Sequence, residues 1–235
     1  MIEMQEISPG SFFGHATAAV QKSIMPKENF DKLFRTLVSG DVLAYQQREL
    51  KLYGKVYKVP RQEIYIDDEH SLPYSYSGSS VLPNVKWSDE RVPEDLKALK
   101  HTLEGAFHQT FDTVLINKYE DGKHGVDWHS DSSKIYSEQG RDNVLIVSIS
   151  MGGIRRFDVR ANKKKMAKQS VKPSVEDFSC FLGHGDLVVM DGQMQDFWDH
   201  RVPKMNVDCG VRVNLTFRTT LPYRSQSNKK RKTRE

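Results

Sequence analysis

The chain has 235 residues, of which 37% are hydrophobic and 28% charged, and this composition is typical of a folded globular protein rather than a disordered one. Residues 1–10 lack the basic start and apolar run of a secretory signal, and no apolar segment approaches membrane-spanning length. Two cysteines are too few for a disulfide framework, so we expect a single large domain in a reducing cell interior.

The net charge of +4 is concentrated at the C-terminus. Residues 224–235 contain six basic residues and one acidic residue, so the rest of the chain is close to neutral. We expect residues 223–235 to form a disordered basic tail. The tail either directs nuclear import and attracts phosphate groups or only keeps the chain soluble. A polyanionic partner must therefore be argued from local groups.

Two segments have the apolar spacing of an amphipathic helix, whereas residues 1–22 show no strong periodicity and predict irregular structure. The first apolar stripe consists of Phe30, Leu33, Phe34 and Leu37. Gly40 is a plausible end for this helix. The second helix is predicted to start near Val92, with Pro93 at its first helical position. Its stripe consists of Leu96, Leu99, Leu103 and Phe107, and we interpret both helices as support for a sheet.

Residues 50–61 alternate apolar and basic side chains around Gly54, which predicts two short strands joined by a tight turn. The basic residues of this segment are Lys51, Lys55, Lys58 and Arg61. An ordinary hairpin with solvated lysines explains the composition. Alternatively, Leu52 and Tyr53 at the turn form a wedge that enters a base stack between phosphate-binding cations.

A pair of tyrosines follows this segment. Tyr74 and Tyr76 face the same way if residues 73–78 are extended. Two aromatic side chains at this spacing are more often part of a core. They also suit a pocket that stacks on a flat heterocycle, so both interpretations stay open.

From residue 111 onward, the sequence predicts short strands separated by glycine-containing turns. The predicted strands are 111–119, 143–150, 154–160 as the partner of the preceding strand, 181–190 with a turn at its start, and 211–219. The lysine-rich residues 161–178 predict a mobile, solvated hairpin or loop, with nucleic-acid contact as the alternative. With no βαβ alternation and no internal repeat, the pattern predicts an α+β domain built on a jelly-roll type barrel.

His129 and Asp131 are two positions apart, so an extended strand would direct both side chains to one face. Such a pair arises easily by chance among 8 histidines and 31 acidic residues, so a metal site depends on a third ligand. One more imidazole would complete a two-histidine, one-carboxylate face that suits non-haem Fe(II). His200 lies in an aromatic, strand-like segment and is the preferred candidate. His184 lies in a glycine turn, and His124 is too close to His129 on a loop.

The final predicted strand has one polar and one apolar face. The polar face consists of Arg212, Asn214, Thr216 and Arg218, and the apolar face of Val211, Val213, Leu215 and Phe217. Burial of two arginines on one strand is costly unless anions neutralise them. A dicarboxylate could pair with both guanidiniums through bidentate geometry. The alternative is a surface strand whose arginines pair with neighbouring acids.

Taken together, these motifs resemble the AlkB family of Fe(II)- and 2-oxoglutarate-dependent nucleic-acid dioxygenases over residues 50–222. The motifs are Asn117-x-Tyr119, His129-x-Asp131, His200 and "RVNLTFR" at 212–218. The resemblance implies an α+β fold with a double-stranded β-helix, or jelly-roll, barrel. It implies that Fe(II), which reacts with O2, is bound by His129, Asp131 and His200. It also implies that 2-oxoglutarate is held by Asn117, Tyr119, Arg212, Asn214, Thr216 and Arg218.

The resemblance extends to the substrate side. "LYGKVYKVPR" and "YSYSG" resemble segments of the AlkB homologue that repairs alkylated double-stranded DNA, where an aromatic finger fills the gap left by a flipped base. The finger and its flanking cations would be Leu52, Tyr53, Gly54, Lys55 and Arg61. The base pocket would contain Tyr74, Tyr76 and Ser77. "VDWHSD" and "HRVPK" resemble instead the sister homologue that prefers single strands and RNA. Relatives usually have acidic residues directly after the His-x-Asp pair, where this chain has Ser132 and Ser133, which leaves base specificity and part of the metal's surroundings open. Ser132 is also a predicted substrate contact.

The resemblance implies an N-terminal extension with a helix over 1–49, a dioxygenase domain over 50–222 with a nucleotide-recognition lid at 50–90, and the basic tail. We expect a nuclear monomer without a membrane partner that demethylates 1-methyladenine and 3-methylcytosine in single- or double-stranded DNA, with base flipping and formaldehyde release. The alternatives are an RNA or single-strand demethylase, an oxygenase acting on protein, and a non-catalytic reader of methylated nucleic acid that holds Zn²⁺.

Overall fold

Helices and strands of the computed structural model are described for residues 5–6, 17–22, 25–52, 54–67, 74–76, 79–81, 84–131, 145–170 and 177–219. The helices are α1 (Lys27–Ser39), α2 (Glu94–Phe107), α3 (Lys163–Lys168) and α4 (Met194–Phe197). The first eight strands are β1 (Gln5–Glu6), β2 (Thr17–Lys22), β3 (Glu49–Leu52), β4 (Lys55–Lys58), β5 (Gln62–Asp67), β6 (Tyr74–Tyr76), β7 (Ser79–Val81) and β8 (Val85–Lys86). The others are β9 (Thr113–Tyr119), β10 (Val126–His129), β11 (Ile146–Gly152), β12 (Arg155–Ala161), β13 (Phe178–Leu182), β14 (Asp186–Asp191), β15 (Trp198–Val202) and β16 (Arg212–Arg218).

These strands form two main sheets. The larger sheet has the order β1-β2-β14-β11-β16-β9-β5-β8, and the smaller sheet has the order β10-β15-β12-β13. Neighbours are antiparallel except for the parallel pair β5 and β8. The pairs β3–β4 and β6–β7 stand apart from both sheets. The predicted α+β class is thus confirmed, and the structure adds that its two main sheets are largely antiparallel. A closed barrel and a lid stay predictions.

The two predicted helices are present and support the larger sheet. In α1, Phe30, Leu33 and Leu37 are buried, and the helix ends at Gly40, whose φ of 70° lies in the left-handed region that glycine adopts without strain. In α2, the buried residues are Leu96, Leu99 and Leu103, and Pro93 precedes the first helical residue. The buried stripes join the apolar face of β16 in one hydrophobic cluster, as expected for helices that cover a sheet.

The prediction of irregular structure for residues 1–22 was wrong for β1 and β2. β2 pairs with β14 in continuous antiparallel register from Thr17 opposite Asp191 to Lys22 opposite Asp186. Its sequence, Thr-Ala-Ala-Val-Gln-Lys, has no clear alternation. β2 forms because it pairs with the edge of β14 that is not paired with β11. Its strand conformation therefore depends on tertiary context and not on its own sequence pattern.

The prediction that residues 154–160 pair with the preceding strand was also wrong. β12 pairs with β13 and β15 in the smaller sheet, whereas β11 pairs with β14 and β16 in the larger one. Gly152 has a φ of 84°, and a side chain at Gly153 would collide with the carbonyl oxygen of Cys209. The glycine pair therefore lets the chain cross between the sheets past a close backbone neighbour, rather than turn back as a hairpin.

The predicted loop at 161–178 contains the short helix α3. The side chain of Asn162 accepts a hydrogen bond from the Lys165 N–H at 3.0 Å and caps the helix, and Met166 is buried against the smaller sheet. Residues 171–176 lie outside the described part of the chain, as does the tail at 223–235. The domain boundaries therefore stay predictions. Among the described helices, none is both long enough and apolar enough to cross a membrane.

Candidate active site

The smaller sheet brings the three predicted metal ligands together. β10 pairs with β15 so that His129 lies directly opposite His200, with the ring centroids 4.2 Å apart. Asp131 follows two residues after His129, and its Oδ1 lies 3.9 Å from His129 Nε2. One possible ligand atom from each residue lies within 4.8 Å of the other two. This arrangement fits two imidazoles and one carboxylate around a single cation, with positions left for reactants.

Both imidazoles are in the neutral form that binds metal. Burial and, to a smaller extent, the neighbouring His129 together lower the pKa of His200 to about 3, although Asp131 opposes the shift. Burial also lowers the pKa of His129, although Asp131 opposes that shift. His129 Nδ1 lies 2.7 Å from the carbonyl oxygen of Asp127. Because a carbonyl only accepts, Nδ1 carries the proton and Nε2 is left for a metal.

Arg218 joins the metal triad to the final strand. Its Nη2 and Nε donate to Asp131 Oδ2 at 2.7 and 3.2 Å. Both side chains are almost completely buried, so the ion pair is screened little by solvent. The pair holds one carboxylate oxygen while Oδ1 is directed toward His129.

Arg212, at the start of β16, is a buried cation with unsatisfied donors. Its side chain is 1% exposed, and burial lowers the pKa of the guanidinium. Nη2 donates to Ser150 Oγ at 2.9 Å, whereas Nε and Nη1 make no well-aligned hydrogen bond among the described residues. The neighbouring Tyr119 side chain opposes the lowering of the pKa. Unpaired buried donors are costly, so this site fits the carboxylate of a small ligand such as 2-oxoglutarate.

The other residues predicted to bind 2-oxoglutarate line the same cavity as the triad and both arginines; these are Asn117, Tyr119, Asn214 and Thr216. Asn214 Nδ2 donates to Ser148 Oγ and to the carbonyl oxygen of Ile149. Tyr119 is opposite Arg212 in the β9–β16 register, with the guanidinium carbon 5.2 Å from its ring centre. The strand alternation predicted from the sequence thus places one polar face toward the cavity.

Several cavity residues were not predicted from the sequence. They are Leu115, Val126, Ser148, Phe157, Leu182, Met190 and Val202. Most are apolar residues of buried strands, and only the register of the two sheets shows which of them face the cavity.

The structure places the predicted substrate residues unevenly. Arg61 lies in the cavity wall, where its Nε donates to Asn117 Oδ1 at 2.9 Å and contacts Glu63 Oε1 at 2.8 Å. Gly54 forms the turn between β3 and β4 with a φ of 78°, and Lys55 is exposed on β4. Tyr53, Ser77 and Ser132 lie outside the described residues, as do the side chains of Leu52, Tyr74 and Tyr76. Their roles stay predictions.

The two competing histidines have other partners. His184 Nδ1 accepts from the Gly152 N–H at 3.0 Å, and its Nε2 lies 3.2 Å from an Asp31 carboxylate oxygen. His124 Nδ1 accepts from the Glu120 N–H at 3.0 Å. Neither belongs to the triad, which supports the preference for His200 as third ligand.

Comparison with known proteins identifies the family. The family model described as "2OG-Fe(II) oxygenase superfamily" matches residues 17–218. Human alpha-ketoglutarate-dependent dioxygenase alkB homolog 3 is 37% identical over 188 residues, covering 80% of this chain and 57% of the relative. Mouse DNA oxidative demethylase ALKBH2 is 30% identical over 197 residues, covering 83% of this chain and 77% of the relative. The chain spans about half the length of its alkB homolog 3 relatives, 57% of the human and 49% of the mouse protein.

A solved structure, that of OsALKBH1, has a TM-score of 0.52 and 14% identity, covering 92% of this chain and 100% of that chain. This likeness concerns the fold alone. Fe(II) and 2-oxoglutarate are the cofactors of the matched family, and the triad and the unsatisfied donors of Arg212 fit them. The chain belongs to the 2OG-Fe(II) oxygenase superfamily and, within it, to the AlkB homologues.

Proposed function

We propose that this protein oxidatively removes methyl groups from ring nitrogens of nucleic-acid bases, with 1-methyladenine and 3-methylcytosine in DNA as substrates. The observation that carries the proposal is one cavity lined by both a metal triad and a buried arginine with unsatisfied donors. The relatives named as a DNA oxidative demethylase and as alkB homolog 3 support this class of substrate.

The residues divide the work as follows. His129, Asp131 and His200 would hold Fe(II), and Arg212 would bind a carboxylate of 2-oxoglutarate. When bound, Fe(II) and 2-oxoglutarate supply the chemistry: O2 hydroxylates the N-methyl group while 2-oxoglutarate is converted to succinate and CO2. The hydroxymethyl adduct on the base then loses formaldehyde, which restores the base. Arg218 keeps Asp131 oriented, and apolar side chains such as Phe157 help to exclude water.

The base must leave the helix, because a methyl group on a Watson–Crick nitrogen is unreachable inside the stack. The β3–β4 hairpin supports contact with DNA. Lys55 and Lys58 are exposed on β4, and Arg61, three residues after Lys58, lies in the cavity wall. We assign Tyr53, which precedes Gly54 in the sequence, to filling the gap left by the flipped base, and Tyr74 and Tyr76 to the base pocket.

The decisive experiment measures formaldehyde release from oligonucleotides that carry a single 1-methyladenine or 3-methylcytosine. We expect release that requires both Fe(II) and 2-oxoglutarate and that is lost in Asp131→Ala. The absence of turnover on every methylated oligonucleotide, while the metal-loaded protein converts 2-oxoglutarate to succinate, would contradict the proposed substrate class. Absence of both reactions would support a non-catalytic reader.

Matched DNA and RNA oligonucleotides of one sequence, each as single strand and duplex, distinguish the candidate polymers. We expect turnover on DNA in both forms. Turnover confined to RNA or to single strands would favour the alternative demethylases.

We also place the protein in the nucleus. Lys229, Lys230, Arg231 and Lys232 form a basic cluster of the kind that import receptors bind. A tandem fluorescent fusion should concentrate in the nucleus with residues 224–235 and lose this enrichment without them. An unchanged distribution would contradict the assignment.

A further inference from the structure

Two contacts, one buried and one partly buried, hold the segment Ser130–Asp131 from outside the metal triad. Gln195, in α4, is 3% exposed, and its Oε1 accepts a hydrogen bond from the Asp131 N–H at 2.8 Å. Lys165, in α3, donates through Nζ to Ser130 Oγ at 2.5 Å and to the carbonyl oxygen of Gln195 at 3.2 Å. Neither side chain belongs to the triad or to the polar face of β16.

We propose that Gln195 and Lys165 are positioning residues that set metal affinity and coordination geometry by fixing the backbone of Ser130 and Asp131. The proposal rests on the proposed metal-binding role of the triad and not on the identity of the substrate. Hydrogen-bonding partners behind the ligands of a metal site orient those ligands and tune the metal.

The contacts matter because strand pairing alone holds this segment weakly. β10 pairs with β15 at Val126 opposite Val202 and at His129 opposite His200, and the register is irregular between these positions. Asp131 lies beyond the end of β10. The main-chain N–H of Asp131 is bound by Gln195, and Oδ2 of the Asp131 side chain is bound by Arg218. With both ends held, the position of Oδ1 near His129 is determined by two independent anchors.

The same contacts connect Asp131 to the strand that carries His200. α4 leads directly into β15, so Gln195 lies five residues before His200. The Asn162 cap of α3 donates through Nδ2 to both carboxylate oxygens of Asp199, the residue preceding His200. Asn162 also donates its N–H to the carbonyl oxygen of Phe197 at 2.8 Å. α3, α4 and β15 therefore form one unit against which the Ser130–Asp131 segment is held.

The test is a titration of the metal-free protein with Co²⁺, read through affinity and through the visible absorption spectrum of the bound ion, which reports coordination geometry. In Gln195→Leu, we expect the affinity to fall by about 10-fold or more, with an altered spectrum. Gln195→Glu keeps an acceptor for the Asp131 N–H and should restore most of the affinity. Asp196→Asn, on the same helix, is the matched control and should behave as the unmodified protein.

Circular dichroism and thermal unfolding of each metal-free variant accompany the titration. If Gln195→Leu does not fold, Lys165→Met is the variant that tests the proposal. We expect it to bind Co²⁺ more weakly and with an altered spectrum, and we expect Lys165→Arg to recover most of the affinity and the original spectrum. If Gln195→Leu and Lys165→Met fold and bind Co²⁺ with the same affinity and spectrum as the unmodified protein, the positioning role is overturned. The His200→Ala variant tests the metal site itself, separately from the positioning role of Gln195 and Lys165. If the unmodified protein binds Co²⁺ no better than His200→Ala does, the metal site and the positioning role both fail.

Discussion

Arg155 is the clearest case of a single residue on which the site depends without belonging to it. The side chain is 1% exposed and donates to the carbonyl oxygens of Gly122, His124 and Pro203 at 3.4, 2.7 and 2.7 Å. A further bond reaches the carbonyl oxygen of Asp121. The guanidinium thus fastens the loop before β10 to the segment after β15. Because β10 and β15 carry the metal ligands His129 and His200, the Arg155 guanidinium stabilises both the loop and the arrangement of these two strands.

We predict that Arg155→Met lowers the free energy of unfolding by about 3 kcal/mol, since four buried or partly buried carbonyl groups lose a charged donor. Urea unfolding of the metal-free protein measures the change. Arg156→Met is the matched control, because Arg156 is the next residue on β12 and its side chain is 42% exposed. We expect about 1 kcal/mol or less there. Equal losses in both variants would contradict the clamp role of Arg155.

Arg212 leads to the opposite expectation for stability. Its Nε and Nη1 make no well-aligned hydrogen bond among the described residues, so the guanidinium is a cost to the ligand-free fold. Arg212→Met should therefore unfold with unchanged or higher free energy, by about 0–2 kcal/mol, while the affinity for 2-oxoglutarate falls by about 100-fold. Urea unfolding without ligand and direct binding of 2-oxoglutarate give the two values. A marked loss of ligand-free stability would mean that Arg212 has a structural partner instead.

These residues show what the sequence can predict. The triad and the polar face of the last strand could be predicted because the spacing of their residues is local. The two arginines of that strand also indicate a binding site for an anion, and both features can be recognised in the sequence. Arg155, Lys165 and Gln195 act largely on backbone atoms that are distant in the chain. Arg155 bonds to Pro203, 48 positions away, and no side-chain motif marks such a contact.

Among the elements, the outer face of the smaller sheet is held by charges around one aromatic ring. Trp128 of β10 lies between Arg160 and Arg201, with the guanidinium carbons 4.1 and 4.3 Å from its ring centre. Asp158 accepts from Arg201 Nε at 2.7 Å. The network therefore links β10, β12 and β15 on the face opposite the cavity.

Asp158 makes this network sensitive to acid. Burial raises the pKa of its carboxyl group, but hydrogen bonds from Ser179, Arg201 and Arg156 outweigh burial and hold the pKa below the usual 3.8. The unfolded chain therefore takes up this proton first as the pH falls, and the stabilisation present above pH 3.8 is lost below it. We predict that Asp158→Asn is less stable at pH 7 and declines less steeply below pH 4 (about the ordinary carboxyl pKa).

Urea unfolding from pH 7 to about pH 3, where carboxyl groups titrate, measures both effects. Asp41→Asn, at an exposed acid, is the control and should leave the curve unchanged. Parallel curves for Asp158→Asn and the unmodified protein would contradict the assigned linkage.

The β3–β4 hairpin carries a prediction of its own. We expect Tyr53→Ala to reduce demethylation of duplex DNA by about 10-fold and of single-stranded DNA by less than about 2-fold, because a gap exists only in a duplex. Tyr57→Ala is the matched control, since Tyr57 is exposed on β4 of the same hairpin. Initial rates on one methylated oligonucleotide in both forms give the comparison. Equal losses on both forms would remove the gap-filling role.

The success of prediction also differs between elements. α1 and α2 were predicted because their apolar stripes have helical spacing, and β16 because its faces alternate. β2 was missed because its pairing comes from β14 and not from its own pattern. The partner of β12 was assigned wrongly because the glycine pair at 152–153 is compatible with a hairpin as well as with a crossing between sheets.

At the scale of the whole molecule, the two sheets contribute different halves of the site. β9 and β16 of the larger sheet present Tyr119 and Arg212, whereas β10 and β15 of the smaller sheet present His129 and His200. The Asp131–Arg218 ion pair connects the halves. The site is therefore determined by how the sheets face each other, and any change that loosens the larger sheet should also weaken cofactor binding.

Residues 17–22 test that dependence, because β2 pairs with β14 along six consecutive residues. We predict that deletion of residues 1–22 exposes the edge of β14, lowers thermal stability by roughly 10 °C or more and promotes association. Deletion of residues 1–16 is the matched control, since it removes β1 but leaves β2, and we expect a change of only a few degrees. Thermal unfolding and size-exclusion chromatography measure the two effects. Equal stability of the two truncated chains would show that β2 is dispensable and that the larger sheet holds its half of the site without it.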